Sequence, residues 1–179
     1  LHSIPLPPDD FTGREAELGN LLKAQQRGRH VALIWGIDGS GKTTLAYALA
    51  ARLRGEYPEA QLLVDLQGTA QQPISPQQAM AQVIRAWNLD IPIPDDPHDI
   101  QSLYRSVLDG KQVLLLLDNA RDVGQVAPFL PPPAGCFVTS GSPHRAQPAR
   151  VSQCSTFTPV AGRIIRRTPA RARFSARKP

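Results

Sequence analysis

Cysteine and histidine are scarce in this sequence, which has two cysteines and four histidines among 179 residues. Cys136 and Cys154 lack the spacing of metal ligands, and no two histidines stand at helical spacing. A metal site built from these residues is therefore not predicted. So little cysteine suits a reducing compartment, and we expect the protein to be cytoplasmic.

Long apolar runs are also missing. The run Val113–Leu117 falls far short of the roughly 18 residues of a membrane span, so no membrane partner is predicted. Residues 1–10 are rich in proline and lack a basic start, which argues against a signal peptide and favours a linker. Because the first residue is Leu1 rather than Met, we expect the chain to be a piece of a longer protein.

Acidic residues are absent from the last third of the chain. Residues 1–122 contain 11 Lys and Arg and 15 Asp and Glu, whereas residues 123–179 contain 9 Lys and Arg and no acid. The basic character of the whole chain therefore comes from its end, and it is no evidence that the folded part binds nucleic acid. Residues 141–179 are predicted to be a tail, either disordered and basic or disrupted by a reading-frame error.

Strand and helix patterns alternate over residues 11–140, which we predict to form one domain. Ser75 and Asp99 are predicted to cap two of the helices. The alternation predicts an α/β fold in which helices cover both faces of a parallel sheet and ligands bind at the carboxyl ends of the strands. The four predicted strands are His30–Trp35, Gln61–Leu66, Val113–Leu117 and Cys136–Ser140.

A glycine-rich segment between the first predicted strand and a helix matches the P-loop pattern G-x-x-x-x-G-K-[ST] in full. Its glycines allow the backbone N–H groups to point at phosphates. Lys42 adds positive charge at the β- and γ-phosphates, and the Thr43 hydroxyl ligates Mg²⁺. The predicted ligands are therefore ATP or ADP with Mg²⁺. The predicted nucleotide-binding residues of this loop are Gly36, Ile37, Asp38, Gly39, Ser40, Gly41, Lys42, Thr43 and Thr44.

Asp118 ends the third predicted strand and is interpreted as the Walker B carboxylate, which holds Mg²⁺ through a water molecule. Asn119 follows, where many P-loop ATPases have a glutamate that deprotonates the attacking water. Asparagine can orient a water but cannot take its proton, so slow hydrolysis is predicted, unless Asn119 only begins a turn and a base lies elsewhere. Lys42, Asp118 and Asn119 are the candidate catalytic residues, with Thr43 and Asp118 as metal ligands. Asp65, which ends the second strand, is interpreted as a cap or structural partner.

Three features together resemble the STAND class of P-loop ATPases, which includes the NB-ARC domains. The first is the segment Phe11, Thr12, Gly13, Arg14 and Glu15, similar to the hydrophobic-x-Gly-Arg-Glu motif that opens their nucleotide-binding domain. The second is the P-loop, a short distance after this motif. The third is residues 114–120, which resemble the Walker B strand of bacterial members. The resemblance covers residues 9–140.

The resemblance implies a three-layer fold with strand order 2-3-1-4-5, in which the fourth strand lies beside the P-loop strand. It implies that Phe11, Thr12, Gly13 and Arg14 pack against adenine and ribose. It also implies a molecular switch that holds ADP at rest, exchanges it for ATP and then self-associates. The expected partners are nucleotide, other domains of a longer chain and further copies of the protein, whereas nucleic acid is not expected.

The sequence departs from the family pattern after the fourth strand. The family commonly has an arginine there that senses the γ-phosphate, whereas Ser140 is followed by Gly141, with Arg145 as a weak substitute. No helical or winged-helix lid is recognised, so incomplete trapping of ADP is expected. Two alternatives stay open: an AAA-type ATPase that acts on nucleic acid, which the acidic residues 1–122 disfavour, and a P-loop kinase, which needs an arginine-rich lid.

Overall fold

The computed structural model describes residues 1–87, 90–142 and 157–159. None of its helices is long and apolar enough to cross a membrane. Strands and helices alternate as predicted, and the α/β fold with a parallel sheet is confirmed. The helices are α1 (Glu15–Gln26), α2 (Lys42–Arg52), α3 (Pro76–Ala86), α4 (Pro97–Leu108) and α5 (Val123–Val126), which a 3-10 turn at Ala127–Phe129 follows. The strands are β1 (Val31–Trp35), β2 (Ala60–Asp65), β3 (Val113–Asp118), β4 (Cys136–Ser142) and β5 (Phe157–Pro159).

The strands are parallel and lie in the order β2-β3-β4-β1-β5. The predicted neighbour of the P-loop strand is confirmed, because β4 pairs with β1 through Val138 and Val31. The predicted order 2-3-1-4-5 is wrong at the centre, since β4 also pairs with β3, through Val138 and Leu115, and separates β3 from β1. β1, β3 up to Asp118 and the first half of β4 are short and apolar, as buried parallel strands are, so their patterns do not specify which of them are neighbours.

Two apolar clusters cover opposite faces of the sheet. Alternate residues of β3 enter each cluster, because successive side chains of a strand point to opposite faces. Leu114 and Leu116 pack with α1 and α2, whereas Leu115 and Leu117 pack with α3 and α4. Helix α2 contacts β1, β4 and β3, so the helix that begins with Lys42 crosses the centre of the sheet.

The two predicted caps have different outcomes. Ser75 is confirmed as the N-cap of α3, where its Oγ accepts from the Gln78 N–H at 3.1 Å and the Gln78 side chain accepts from the Ser75 N–H at 2.8 Å. The predicted cap Asp99 is wrong, because Asp96 caps α4 and Asp99 lies in the first turn. Pro97 explains the difference, since proline fits the first helical position and leaves the preceding residue as the cap.

β2 and β1 each have a neighbour on the side that faces away from the centre of the sheet. Beside β2, the Gln61 N–H donates to the Leu1 carbonyl at 2.7 Å and the Ser3 N–H donates to the Gln61 carbonyl at 2.9 Å. Beside β1, β5 supplies the parallel neighbour, so the P-loop strand has a partner on each side. Apart from β5 and the last two residues of β4, the predicted tail 141–179 lies outside the described residues, and so does Arg145.

The loop after β2 packs directly against the loop after β3. The Gly68 N–H donates to the Asn119 carbonyl at 2.7 Å, and the Leu66 N–H donates to the Asp118 carbonyl at 2.9 Å. A Cβ on Gly68 would lie less than 3.0 Å from backbone atoms of residues 119–121. Only glycine therefore fits where the two backbones meet.

A buried glutamine joins the same two loops from within. Gln125 is 8% exposed, and its amide nitrogen donates to the carbonyls of Leu66 and Ile74 at 3.0 and 2.8 Å. Its amide oxygen accepts from the Arg121 N–H at 2.7 Å. Both ends of the buried amide are thus paired, which offsets the cost of its desolvation. The two loops consequently form one unit beside Asp118.

We expect Gly68→Ala to lower the free energy of unfolding by about 2 kcal/mol, because the new methyl group must push the two loops apart. The matched control is Gly55→Ala, where a Cβ meets nothing within 4 Å. That change should stay within about 0.5 kcal/mol of the original chain. Urea denaturation checks both variants, and equal midpoints would contradict the close packing of the loops.

Candidate nucleotide-binding site

The P-loop residues 36–44 run from the end of β1 into the first turn of α2. Gly39 and Gly41 have left-handed backbone, with φ values of 74° and 79°, and Gly41 is the N-cap of α2. Glycine adopts this conformation without a steric penalty, and the resulting curl turns the loop over the helix N-terminus. The first turn of α2 contains no acidic residue, so nothing on the helix itself opposes an anion there.

Thr43 and Asp118 meet although they lie 75 residues apart in the sequence. The Thr43 hydroxyl donates to the Asp118 carboxylate, with Oγ1 at 2.9 Å from Oδ2 and 3.2 Å from Oδ1. Both side chains are only partly buried, so the pair is open to a ligand. A hydroxyl and a carboxylate side by side are hard oxygen donors, and they fit Mg²⁺ that keeps its other positions for water and phosphate.

Lys42 lies along the loop that precedes it. Its Nζ donates to the carbonyls of Gly36 and Ile37, both at 2.9 Å. The ammonium also lies 3.6 Å from Oδ1 of Asp38, whose side chain is 80% exposed, so this ion pair adds little. The positive charge is thus held where the P-loop curls over the start of α2.

The motif Phe11 to Arg14 lies against the P-loop. Arg14 donates from Nη2 to the Ser40 carbonyl, while Phe11 packs at the edge of the α1–α2 cluster. Gly13 has left-handed backbone, with φ at 81°, which turns the chain into α1. Within the described residues, Nη1 of Arg14 and Oγ of Ser40 are buried without a hydrogen-bond partner. One of these two atoms belongs to the predicted adenine–ribose motif and the other to the P-loop.

Asn119 also has left-handed backbone, with φ at 53°, a conformation that asparagine tolerates better than most residues. Its N–H donates to Oδ1 of Asp118 at 2.9 Å. Its side-chain amide donates to Oδ1 of Asp65 at 3.4 Å and to Oγ1 of Thr69 at 3.5 Å. The predicted water-orienting residue thus faces the end of β2. Asp65 also caps the turn after β2, where it accepts from the Gln67 N–H at 2.8 Å.

Two residues near Asp118 were not singled out by any motif. Asp65 is in register with Asp118 in the sheet, and the implied adjacency of the second and third strands, which the structure confirms, is the signal that could have found it. Tyr47 follows Thr43 by one helical turn of α2. Burial raises the pKa of the Tyr47 hydroxyl, and the carboxylates of Asp118 and Asp65 raise it further. The phenol therefore stays protonated at neutral pH.

No family model matches this chain. Two similar proteins are both named as regulatory proteins. The chain is 46% identical over 143 residues to regulatory protein AfsR of Streptomyces coelicolor, covering 74% of this chain and 14% of that protein. It is 43% identical over 144 residues to regulatory protein AfsR of Streptomyces griseus, covering 76% of this chain and 15% of that protein. The chain is homologous to a segment of the AfsR regulators. It therefore spans a small part of the length of these relatives.

A solved structure supports the fold. The chain resembles the Orc1 protein of Aeropyrum pernix, solved in complex with DNA, with a TM-score of 0.58 and 18% identity over 86% of this chain and 46% of that one. At this identity the likeness shows the fold alone. Together with the AfsR relatives, it confirms the expected resemblance to STAND-class P-loop ATPases.

We expect Arg14→Ala to speed amide hydrogen exchange in residues 36–41, because Arg14 binds the loop through the Ser40 carbonyl. Arg27→Ala is the matched control, since Arg27 is exposed at the end of the same helix. Hydrogen exchange measured by mass spectrometry compares the two variants. Unchanged exchange in Arg14→Ala would show that the loop holds its shape without this contact.

Proposed function

We propose that this chain is the ATP- and ADP-binding switch domain of a STAND-type signalling ATPase, with slow or absent hydrolysis. The observation that carries the proposal is the hydrogen bond between Thr43 and Asp118, 2.9 Å long. It joins the P-loop hydroxyl to the Walker B carboxylate at one point, which is what the binding of nucleotide with Mg²⁺ requires. The two similar proteins are named regulatory proteins, which supports the regulatory part of the proposal.

Each part of the proposed site has a distinct role. The N–H groups of the P-loop and the start of α2 bind the phosphates, and Lys42 exchanges its loop carbonyls for phosphate oxygens. Thr43 and Asp118 hold Mg²⁺, which supplies charge neutralisation when bound. The segment Phe11 to Arg14 packs against adenine and ribose, where the buried Nη1 of Arg14 offers a free donor.

Slow turnover follows from the residue after Asp118. Asn119 has no group that can accept a proton, and its amide nitrogen already donates toward Asp65 and Thr69. Water attack on the γ-phosphate is therefore oriented but not base-assisted. Such a site holds ATP long enough for its presence to act as a signal.

The proposed partners follow from the length of the relatives, and the proposed compartment follows from the scarcity of cysteine. Since the chain spans 14% of one AfsR protein and 15% of the other, we place it within a longer cytoplasmic regulator whose other domains sense the signal. ATP-dependent self-association is the expected output. Burial raises the pKa of the Cys136 thiol to about 11, so little of it is ionised at neutral pH.

Neither alternative function gains support. The DNA in the Orc1 structure belongs to that protein, and 18% identity carries only the fold to this chain. Residues 1–122 contain 15 acidic and 11 basic residues, which disfavours a nucleic-acid surface on that part of the domain. The P-loop kinase has no specific observation in its favour.

The first test is isothermal titration of the chain with ADP and with Mg·ATP, followed by a phosphate-release assay. Both nucleotides should bind, and phosphate release should be slow. Lys42→Ala should weaken binding roughly ten- to hundredfold, because a charged hydrogen-bond donor to phosphate is lost. Lys23→Ala is the control, since Lys23 is exposed on α1. Equal affinity in both variants, or rapid turnover, would overturn the proposed function.

A second test addresses the metal. Asp118→Asn should remove most of the gain in ATP affinity that Mg²⁺ provides, because the neutral amide cannot balance the charge of the cation. ADP binding without Mg²⁺ should change less than about threefold. Titrations with and without Mg²⁺ give both numbers. A metal effect that survives in Asp118→Asn would place the carboxylate outside the metal site.

A further inference from the structure

We propose that Asp65 is a positioning residue, which fixes the side-chain amide of Asn119 so that its oxygen meets the attacking water. The inference rests on the proposed function and names the pair that sets the rate of hydrolysis. It gives Asp65 a role in the site, whereas the sequence indicates only a cap at the end of β2.

Asp65 lies beside Asp118 at the carboxyl end of the sheet. It is in register with Asp118 on the neighbouring strand. It also lies on the α2 face of the sheet, because the preceding alternate residues of β2 face α2: the Gln61 amide donates to the Ala50 carbonyl, and Leu63 packs against the α1–α2 cluster. The two carboxylates therefore stand side by side, at the strand spacing of about 4.8 Å, below the start of α2.

The contact between Asp65 and Asn119 is a hydrogen bond from the amide nitrogen to the carboxylate. An ionised carboxylate only accepts hydrogen bonds, so Asp65 must face the amide nitrogen of Asn119 and not its oxygen. The Thr69 hydroxyl lies 3.5 Å from the same nitrogen and can take its second hydrogen. Within the described part of the chain, Oδ1 of Asn119 accepts no hydrogen bond, and the residue is partly exposed. Its free acceptor is thus available to a water molecule.

The backbone of Asn119 is fixed as well. Its N–H donates to the Asp118 carboxylate and its carbonyl accepts from Gly68, at 2.9 and 2.7 Å. The amide can therefore change only by rotating about its own side-chain bonds. Among the described residues, Asp65 is the charged group that contacts this amide, so it favours the orientation in which the amide nitrogen faces β2.

This arrangement serves the hydrolysis of ATP. The water oxygen forms a bond to the γ-phosphorus while the bond from that phosphorus to the bridging oxygen breaks, and the bridging oxygen leaves with the electron pair on ADP. Asn119 Oδ1 accepts a hydrogen bond from the water, which directs a lone pair at phosphorus. Both hydrogens of the water leave on the phosphate, because the amide of Asn119 cannot take one.

The test begins with Asp65→Asn in the whole chain. Asparagine can present either end of its amide, so both orientations of Asn119 become accessible. We expect kcat for phosphate release to fall about tenfold, with KM and the affinity for ADP unchanged within about twofold. Asp96→Asn is the matched control, because it makes the same change at the cap of α4, away from the site.

The exchange variant D65N/N119D separates positioning from stability and charge. It keeps the net charge of the pair and restores one hydrogen bond with its direction reversed. A carboxylate at 119 accepts from water in either orientation, so kcat should return at least to that of the original chain. If kcat stays as low as in Asp65→Asn, the loss comes from disturbed structure, and the inference is overturned.

A readout without nucleotide completes the test. The side-chain NH₂ signals of Asn119, identified in the ¹⁵N spectrum by their loss in N119D, should shift in Asp65→Asn and stay in place in Asp96→Asn. Unmoved signals, unchanged kcat in Asp65→Asn, or undetectable turnover in a chain that binds nucleotide would each refute the inference. Failure of the original chain to bind ADP or Mg·ATP would instead refute the proposed function.

Discussion

The contact between Thr43 and Asp118 is the constraint on which the rest of the site depends. β4 separates the strand that ends in the P-loop from the strand that ends in Asp118, so the two motifs are not on adjacent strands. Helix α2 closes the distance, because it crosses β1, β4 and β3 on one face. Buried small residues of α2, among them Ala46 and Ala50, allow the close approach of the helix to the sheet. A bulkier face would lift Thr43 away from Asp118.

The end of the sheet concentrates negative charge, and the surrounding groups are arranged to tolerate it. Asp65 and Asp118 stand on neighbouring strands, where two like charges repel unless donors or a cation compensate. Donors are present, since Thr43 and the Asn119 N–H serve Asp118, while the Gln67 N–H serves Asp65. These neutral donors leave the charge itself unbalanced, which favours a divalent cation beside the P-loop.

The motifs were predictable because they depend on local sequence, and the strand order was not. The P-loop, Asp118 and the cap Ser75 each follow from short-range chemistry that neighbouring residues display. The order of β1, β3 and β4 depends on which of these buried strands pair through their backbones. Alternation with helices does not encode that choice. The role of Asp65 was out of reach for a different reason: the implied order already places the second and third strands side by side, but the contact with Asn119, 54 residues away, depends on how the loops after these strands fold.

Asp65 also explains why an asparagine follows Asp118. A glutamate or aspartate there would bring a second carboxylate to the place where the Asn119 amide lies 3.4 Å from Oδ1 of Asp65, beside a third on Asp118. At such distances two like charges repel by about 4 kcal/mol near a protein surface. An acid at the end of β2 therefore disfavours an acid after the Walker B carboxylate. The slow hydrolysis proposed for this chain follows from Asn119, and the electrostatics between the two strands explain why that residue is not an acid.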